Sequence, residues 1–265
     1  MTAVATRARL DAELVRRGLA ASRDQAAEFI AAGQVSVDGM PAGKPTTVVG
    51  RETPIAVATG EREWASRGAH KLLGALDAFG VSVSGLRCLD AGASTGGFTD
   101  VLLDRGAAEV VAVDVGYGLL AWRLRSDERV QVHDRTNVRT LDLDTIGRPA
   151  DLAVADLSFI SLRTVLPALL ACTTPEGTLL PMVKPQFEVG KLLPAGGVVR
   201  DPQLRLAALT EVAAAARAMG LAVRAAVASP LPGPSGNVEF FLQLDRTGPD
   251  AGDGVLATAV AEGPA

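Results

Sequence analysis

Four charged side chains stand where a chain building a buried sheet would not ordinarily place them. They are Lys71 in "SRGAHKL", Asp156 in "VADLSF", Lys184 in "MVKPQFE" and Glu239 in "GNVEFFLQL". Asp156 and Lys184 close apolar runs that read as strands and Glu239 opens one, and an unpaired charge at a buried strand end is costly. An alternation of lysine, aspartate, lysine and glutamate from separate elements makes two opposed charge pairs around a small space. Such a set can orient a hydroxyl group and steer its proton. Two purely structural ion pairs are the competing explanation.

A second constellation lies in "LDAGASTGGFTD", residues 89–100. A dinucleotide fingerprint asks for glycine at its first, third and sixth places. Gly92 and Gly97 fill the first and sixth, but Ser94 occupies the third. The middle glycine lets backbone approach a pyrophosphate closely, so a ligand without pyrophosphate tolerates a serine there. The strand before this turn ends at Asp90, the next at Asp114 and the third at Asp134. Asp114 is placed to accept both hydroxyls of a ribose, and Asp134 to accept from an adenine amino group. Ribose, adenine and an amino acid with no phosphate describe S-adenosyl-L-methionine. Its predicted contacts are Asp90, Gly92, Ser94, Thr95, Gly96, Gly97, Phe98, Asp114 and Asp134. A nicotinamide oxidoreductase would lack its middle glycine and leave both lysines unexplained.

The elements that must position these residues follow from periodicity. Strand-like runs occur at "LRCLDAG", "EVVAVDVG", "RVQVHD", "DLAVADLS", "GTLLPMVK", "GLAVRAAVA" and "VEFFLQL". Helical stretches are predicted at 97–105, 117–125, 161–171 and 203–219. Strands alternating with helices imply an α/β fold with a mostly parallel sheet covered on both faces. The tail from Arg246 is rich in small residues and is expected to fray.

The first 60 residues read differently. Two short helices, the second opened by a Ser22–Gln25 capping box and closed by Gly33, precede strands that turn at Asp38-Gly39. Arg7, Arg9, Arg16, Arg17 and Arg23 stand against only Asp11 and Glu13 in the segment from residue 7 to residue 23. That local basic patch outweighs the overall charge of −4 as a pointer to nucleic acid.

Of 265 residues, 48% are hydrophobic and 21% charged, which describes a globular protein. No apolar run reaches membrane-spanning length, no secretory signal is visible, and two cysteines suit neither a disulfide framework nor a metal site. A cytoplasmic monomer without membrane contact and without bound metal is expected.

"RLD", "LVRRGLAASRDQA" and "IAAGQVSVDG" resemble the S4 RNA-binding domain. Lys71, Asp156, Lys184 and Glu239, with "DAGASTGGF", look like the catalytic tetrad of the FtsJ-type ribose 2′-O-methyltransferases. From about residue 7 to residue 244 the chain resembles the TlyA, or hemolysin A, family of ribosomal RNA methyltransferases. "DVGYGLLAW", "VKPQFEVG" and "SPLPGPSGNVEFFL" also carry that match. The resemblance implies a Rossmann-like class I methyltransferase domain with a seven-stranded sheet at 67–245. An α+β S4 domain would occupy 1–60, a linker 61–66 and a disordered tail 246–265. It implies methyl transfer to the ribose 2′-hydroxyl of cytidine in 23S rRNA, 16S rRNA or both, with rRNA or ribosomal subunits as partner. The predicted RNA contacts are Arg7, Arg9, Arg16, Arg23 and Arg67. The family's linker reads Arg-x-Trp-Val, and "REWA" departs from it at Ala65. Whether Lys184 is a general base or an electrostatic anchor stays open on the sequence. A non-catalytic assembly factor and a hemolysin are the rival readings; the intact tetrad argues against the first, and the want of spanning segments against the second.

Overall fold

The computed structural model describes residues 7–58 and 62–264, which fall into two compact units divided between Glu63 and Trp64. The expected boundary at residue 60 and the start of the expected linker lie outside the described residues.

In the first unit β1 (Arg7–Arg9) leads into α1 (Leu10–Arg16), and α2 (Arg23–Ala31) follows. Then come β2 (Val35–Val37), β3 (Met40–Pro41), β4 (Val48–Gly50) and β5 (Ile55–Val57). Ser22 Oγ accepts from the Gln25 amide at 3.2 Å while Gln25 Oε1 accepts from the Ala21 amide at 2.7 Å, so the cap closes reciprocally. Asp38 and Gly39 take φ of 51° and 79°, the left-handed pair that a tight two-residue hairpin between β2 and β3 demands. Leu10, Leu14, Ala26, Ile30, Val35 and Val49 make the small core of this unit.

The second unit opens with α3 (Gly68–Phe79), β6 (Arg87–Ala91), α4 (Gly97–Asp104), β7 (Glu109–Val113), α5 (Trp122–Arg125) and β8 (Val130–His133). It continues through α6 (Leu143–Ile146), β9 (Ala150–Ala155), α7 (Leu162–Ala171), β10 (Thr173–Val183) and α8 (Pro185–Glu188). It ends with α9 (Pro202–Ala218), β11 (Ala222–Ala228), β12 (Phe240–Asp245) and α10 (Gly254–Glu262). Its seven strands lie in the order β11-β12-β10-β9-β6-β7-β8. Strands β6 to β10 are parallel, and β12 runs antiparallel between β10 and β11. Alternation sorts the side chains: Leu89, Val111 and Ala153 face α7 and α9, while Cys88, Val110 and Leu152 face α3 and α4. The strand order reverses between β6 and β9, and ligands of open α/β sheets bind outside the carboxyl ends at such a point.

Two expectations are corrected. The helix expected at 117–125 is reduced to α5, because Gly116 and Gly118 break the run and the Ala121 amide is taken by the Thr95 carbonyl at 3.1 Å. The described part of the tail, residues 246–264, is packed rather than frayed. Leu256 is fully buried in α10, and Arg217 pairs with both Asp250 at 2.9 Å and Asp253 at 2.6 Å. One well-seated leucine and one bidentate arginine outweigh a small-residue composition. Cys88 and Cys172 are free and buried, and burial pushes their thiols up to about 12 and about 11, which leaves them inert.

Candidate active site

The turn from β6 into α4 is shaped first by its neighbours. A Cβ on Gly92, which has φ +88°, would stand 2.4 Å from the Asp156 carbonyl oxygen at the end of β9. A Cβ on Gly96 would stand 2.3 Å from Leu124, and one on Gly97 2.2 Å from Ser66 Oγ and 3.1 Å from the Ala69 amide nitrogen. Gly97 thus lets α4 approach the first turn of α3, which carries Lys71. Ser94 keeps the left-handed backbone of the missing glycine, with φ +49°, at a cost of about 1–2 kcal/mol. The Asp114 carboxylate holds it there: Oδ2 accepts from the Ser94 amide at 2.8 Å and Oδ1 from the Gly116 amide at 2.7 Å.

Beside this turn lies a cleft of about 500 Å³, walled by Gly92, Ser94, Asp114, Val115, Leu119 and Val138, within the range of small-ligand sites. Asp114 has lone pairs to spare for ribose hydroxyls, since each oxygen takes only one amide. Thr95, Gly97 and Phe98 border the adjoining cleft, with the Phe98 ring against Phe241 at 5.9 Å. Three predicted contacts do not border these clefts, and of them Gly96 lies against Leu120 and Leu124. Asp134 is paired with Arg125 at 2.8 Å, and Thr136 and Asn137 border the cleft in its stead. Asp90 is buried under the turn, with Oδ2 accepting from Thr99 Oγ1 at 2.7 Å and Oδ1 unpartnered. Burial pushes the Asp90 carboxyl up to about 7 against the pull of the Thr99 hydrogen bond, with the nearby Asp156 and Asp114 charges adding to the rise.

The four charged residues pair as Lys71 Nζ with Glu239 Oε2 at 2.5 Å and Lys184 Nζ with Asp156 Oδ1 at 2.6 Å. Lys184 also donates to Ser158 Oγ at 3.0 Å. Lys71, Asp156, Ser158 and Lys184 border one cleft together with Gly92 and Ser94. Glu239, just before β12, borders a larger cleft that Ser158 and Lys184 share. Gly233 makes room for it, since a Cβ there would lie 2.5 Å from Glu239 Oε1. Ser158 borders all three spaces, so the clefts adjoin at this residue.

The loop from Asp156 to Ser161 carries a residue that sequence reasoning missed. Phe159 is 91% exposed and has φ +63°, an outlier for a bulky side chain that costs about 1–3 kcal/mol. Its ring lies 5.2 Å from that of Phe187, three residues past Lys184. "DLSFIS" and "KPQFE" each hold an aromatic next to a catalytic candidate, which was the available signal.

In the first unit the predicted RNA contacts are not loose. Asp11 takes Arg9 and Arg23 at 2.9 Å each, and Glu13 takes Arg16 at 2.6 Å and Arg17 at 2.8 Å. Both carboxylates are nearly buried, whereas Arg9, Arg16 and Arg23 keep about half of their side chains exposed, 48%, 48% and 57%. The Arg16 and Arg17 guanidiniums hold the Glu13 carboxyl at about 2, and those of Arg9 and Arg23 hold Asp11 far below the usual range. Arg7 is exposed on β1, and Arg67 borders the cleft at the start of α3.

Comparison with known proteins matches residues 64–246 to the FtsJ-like methyltransferase family and residues 8–55 to the S4 domain. A protein of Mycobacterium tuberculosis (strain ATCC 25618 / H37Rv) named 16S/23S rRNA (cytidine-2′-O)-methyltransferase TlyA is 60% identical over 98% of this chain and 100% of its own length. This chain belongs to the TlyA family of FtsJ-like methyltransferases. A family relative from Brachyspira hyodysenteriae, named Hemolysin A, is 33% identical over 88% of this chain and 98% of its own. A solved structure from Streptococcus thermophilus that carries a hemolysin name superposes with a TM-score of 0.73 at 35% identity, covering 98% of this chain and 96% of that one. Among the described residues of this TlyA-family chain, no helix is long and apolar enough to cross a membrane.

Proposed function

We propose that this chain transfers a methyl group from S-adenosyl-L-methionine to the ribose 2′-hydroxyl of cytidine in 23S rRNA, 16S rRNA or both. The observation that carries the reading is the meeting of two lysine–carboxylate pairs, Lys71–Glu239 and Lys184–Asp156, beside the Asp114 cleft. The cofactor supplies a methyl group already activated on a cationic sulfur. Asp114 accepts its ribose hydroxyls, and Val115, Leu119 and Val138 pack its adenine. An ammonium has three donors, and Lys184 directs two at Asp156 and Ser158. The third is free for the acceptor oxygen. Lys184 then anchors that oxygen in line; as the oxygen–methyl bond forms and the sulfur–methyl bond breaks to leave a neutral thioether, the hydroxyl proton passes to the Asp156 carboxylate. Holding the reactants in line is worth up to about 7–11 kcal/mol, more than acid–base help of about 10²–10⁴-fold, so positioning dominates. Phe159 offers a face on which an unstacked base can lie, as RNA-modifying sites require. The arginines of the first unit contact phosphates.

The test is single-turnover transfer of labelled methyl to ribosomal subunits, with ribose methylation mapped by resistance to alkaline cleavage. Lys184→Ala is expected to fall by about 10³-fold or more while cofactor affinity holds, and Lys184→Arg to keep a measurable fraction. Near-normal transfer by Lys184→Ala, or methyl found on a base, would overturn the reading.

A further inference from the structure

Glu188 ends α8, four residues past Lys184, and is buried with 5% of its surface exposed. Its carboxylate does not border the clefts at the catalytic pairs. It reaches instead across to the loop 156–161, here termed the acceptor loop, and the start of α7, where Oε2 accepts from Ser161 Oγ at 2.6 Å and Oε1 from the Leu162 amide at 2.7 Å. Arg163 Nε stands 3.5 Å from Oε2. Ser161 is also the cap of α7, accepting from the Arg163 amide at 3.3 Å. A carboxylate among the first free amides of a ten-residue helix sits well for charge as well as for hydrogen bonding.

The segment 184–188 therefore grips the loop 156–161 at three successive points. Lys184 holds Asp156 and Ser158, Phe187 lies against Phe159, and Glu188 holds Ser161. Phe159 sits between the outer two grips in a left-handed backbone that its bulk disfavours. Such a conformation persists only where its surroundings over-determine it. The Lys184 grip fixes one end of the strained stretch, and the Glu188 grip fixes the other. Without the second, Phe159 can relax to an ordinary backbone, and the relaxation carries Ser158 away from Lys184.

We propose that Glu188 is a positioning residue for methyl transfer: through Ser161 and the first turn of α7, it holds the acceptor loop so that Phe159 and Ser158 stand ready for the acceptor nucleotide. The inference rests on the RNA reading of the site above.

The experiment uses the full chain and ribosomal subunits in single-turnover transfer, with cofactor affinity by calorimetry and thermal stability measured in parallel. Glu188→Ala is expected to slow transfer at saturating substrates by about 10²-fold, the scale of a 1 Å misplacement, with cofactor affinity within about twofold of wild type. Glu188→Gln keeps an acceptor for the Leu162 amide and should stay within about fivefold. In a Phe159→Ala background, where no ring is left to present, Glu188→Ala should cost less than about fivefold more. A wild-type rate in folded Glu188→Ala, or full losses that multiply in the double variant, would overturn the proposal. Should Glu188→Ala fail to fold, Ser161→Ala removes the hydroxyl on Oε2 and decides alone, with a loss of about tenfold expected and an unchanged rate refuting it. If wild-type protein itself transfers no methyl to rRNA, the functional reading fails, and that result is distinct from all of these.

Discussion

Glu239 and Lys71 are 168 residues apart in the chain, yet Glu239 Oε2 and Lys71 Nζ approach to 2.5 Å in a nearly dry setting. Two structural features bring them together. Gly97 lets α3 close on the glycine turn, and Gly233 lets the loop before β12 pass over Glu239.

Breaking this pair should separate stability from chemistry. Lys71→Met leaves a buried carboxylate alone and should destabilise by about 3–5 kcal/mol. Lys71→Met/Glu239→Leu removes both charges and should recover most of that loss. Methyl transfer should stay absent in both. Thermal unfolding and single-turnover assays on the three proteins check this, and a stable double variant that regains transfer would make the pair structural only.

Asp114 braces Ser94 and, in the proposed function, also meets a ribose. Asp114→Ala should therefore weaken cofactor binding by at least about tenfold, the value of one or two hydrogen bonds to a charged acceptor. Asp134→Ala, which loses the Arg125 pair and a hydrogen bond from the Gly118 backbone, should leave affinity within about twofold. Calorimetry on both variants decides. Equal losses would return the adenine contact to Asp134.

The sheet, its strand ends and the four charged residues were legible because each leaves a local mark. A lysine ending an apolar run or an acid before a glycine turn needs no tertiary knowledge to be noticed. The first unit announced itself in the same way through Ser22–Gln25 and Asp38-Gly39. What stayed hidden depends on contacts between distant segments. Nothing around Asp90 says that the turn will cover it, nor around Asp134 that Arg125 will claim it. Phe159 and Glu188 act through the meeting of two loops. The tail misled because Leu256 is one residue in a stretch otherwise suited to disorder, and its pocket lies between α9 and β11.

Asp90 should leave a mark on the pH dependence of stability. Its folded value of about 7 lies above the ordinary 3.8, so the folded chain keeps a proton that the unfolded chain has released. Where the folded state binds more protons, stability falls as pH rises, and here the fall spans the window from about 4 to about 7. Asp90→Asn keeps an acceptor for Thr99 and cannot ionise. The gap in melting temperature between Asp90→Asn and wild type should therefore widen in the variant's favour from about pH 5 to about pH 8. Parallel profiles would mean that Asp90 stays ionised beneath the turn.

Asp11 makes the least intuitive prediction. It places a negative charge in the middle of the face proposed to bind RNA, so simple charge counting says that Asp11→Asn should tighten rRNA binding. The geometry says the reverse. Asp11 holds Arg9 on one side and Arg23 on the other, each at 2.9 Å, with about half of each side chain still open to a phosphate. A guanidinium has five donors, and Asp11 occupies at most two on either arginine. Arginines fixed in advance lose less rotamer freedom on binding, which is worth about a factor of five for each side chain. Asp11→Asn should therefore weaken rRNA affinity by about fivefold or more. The slope of binding against salt should hardly change, since no phosphate contact is deleted, whereas Arg9→Ala should lower it by about one. Filter binding of ribosomal subunits across a salt series gives both quantities. Tighter binding by Asp11→Asn would show that the carboxylate merely repels the RNA.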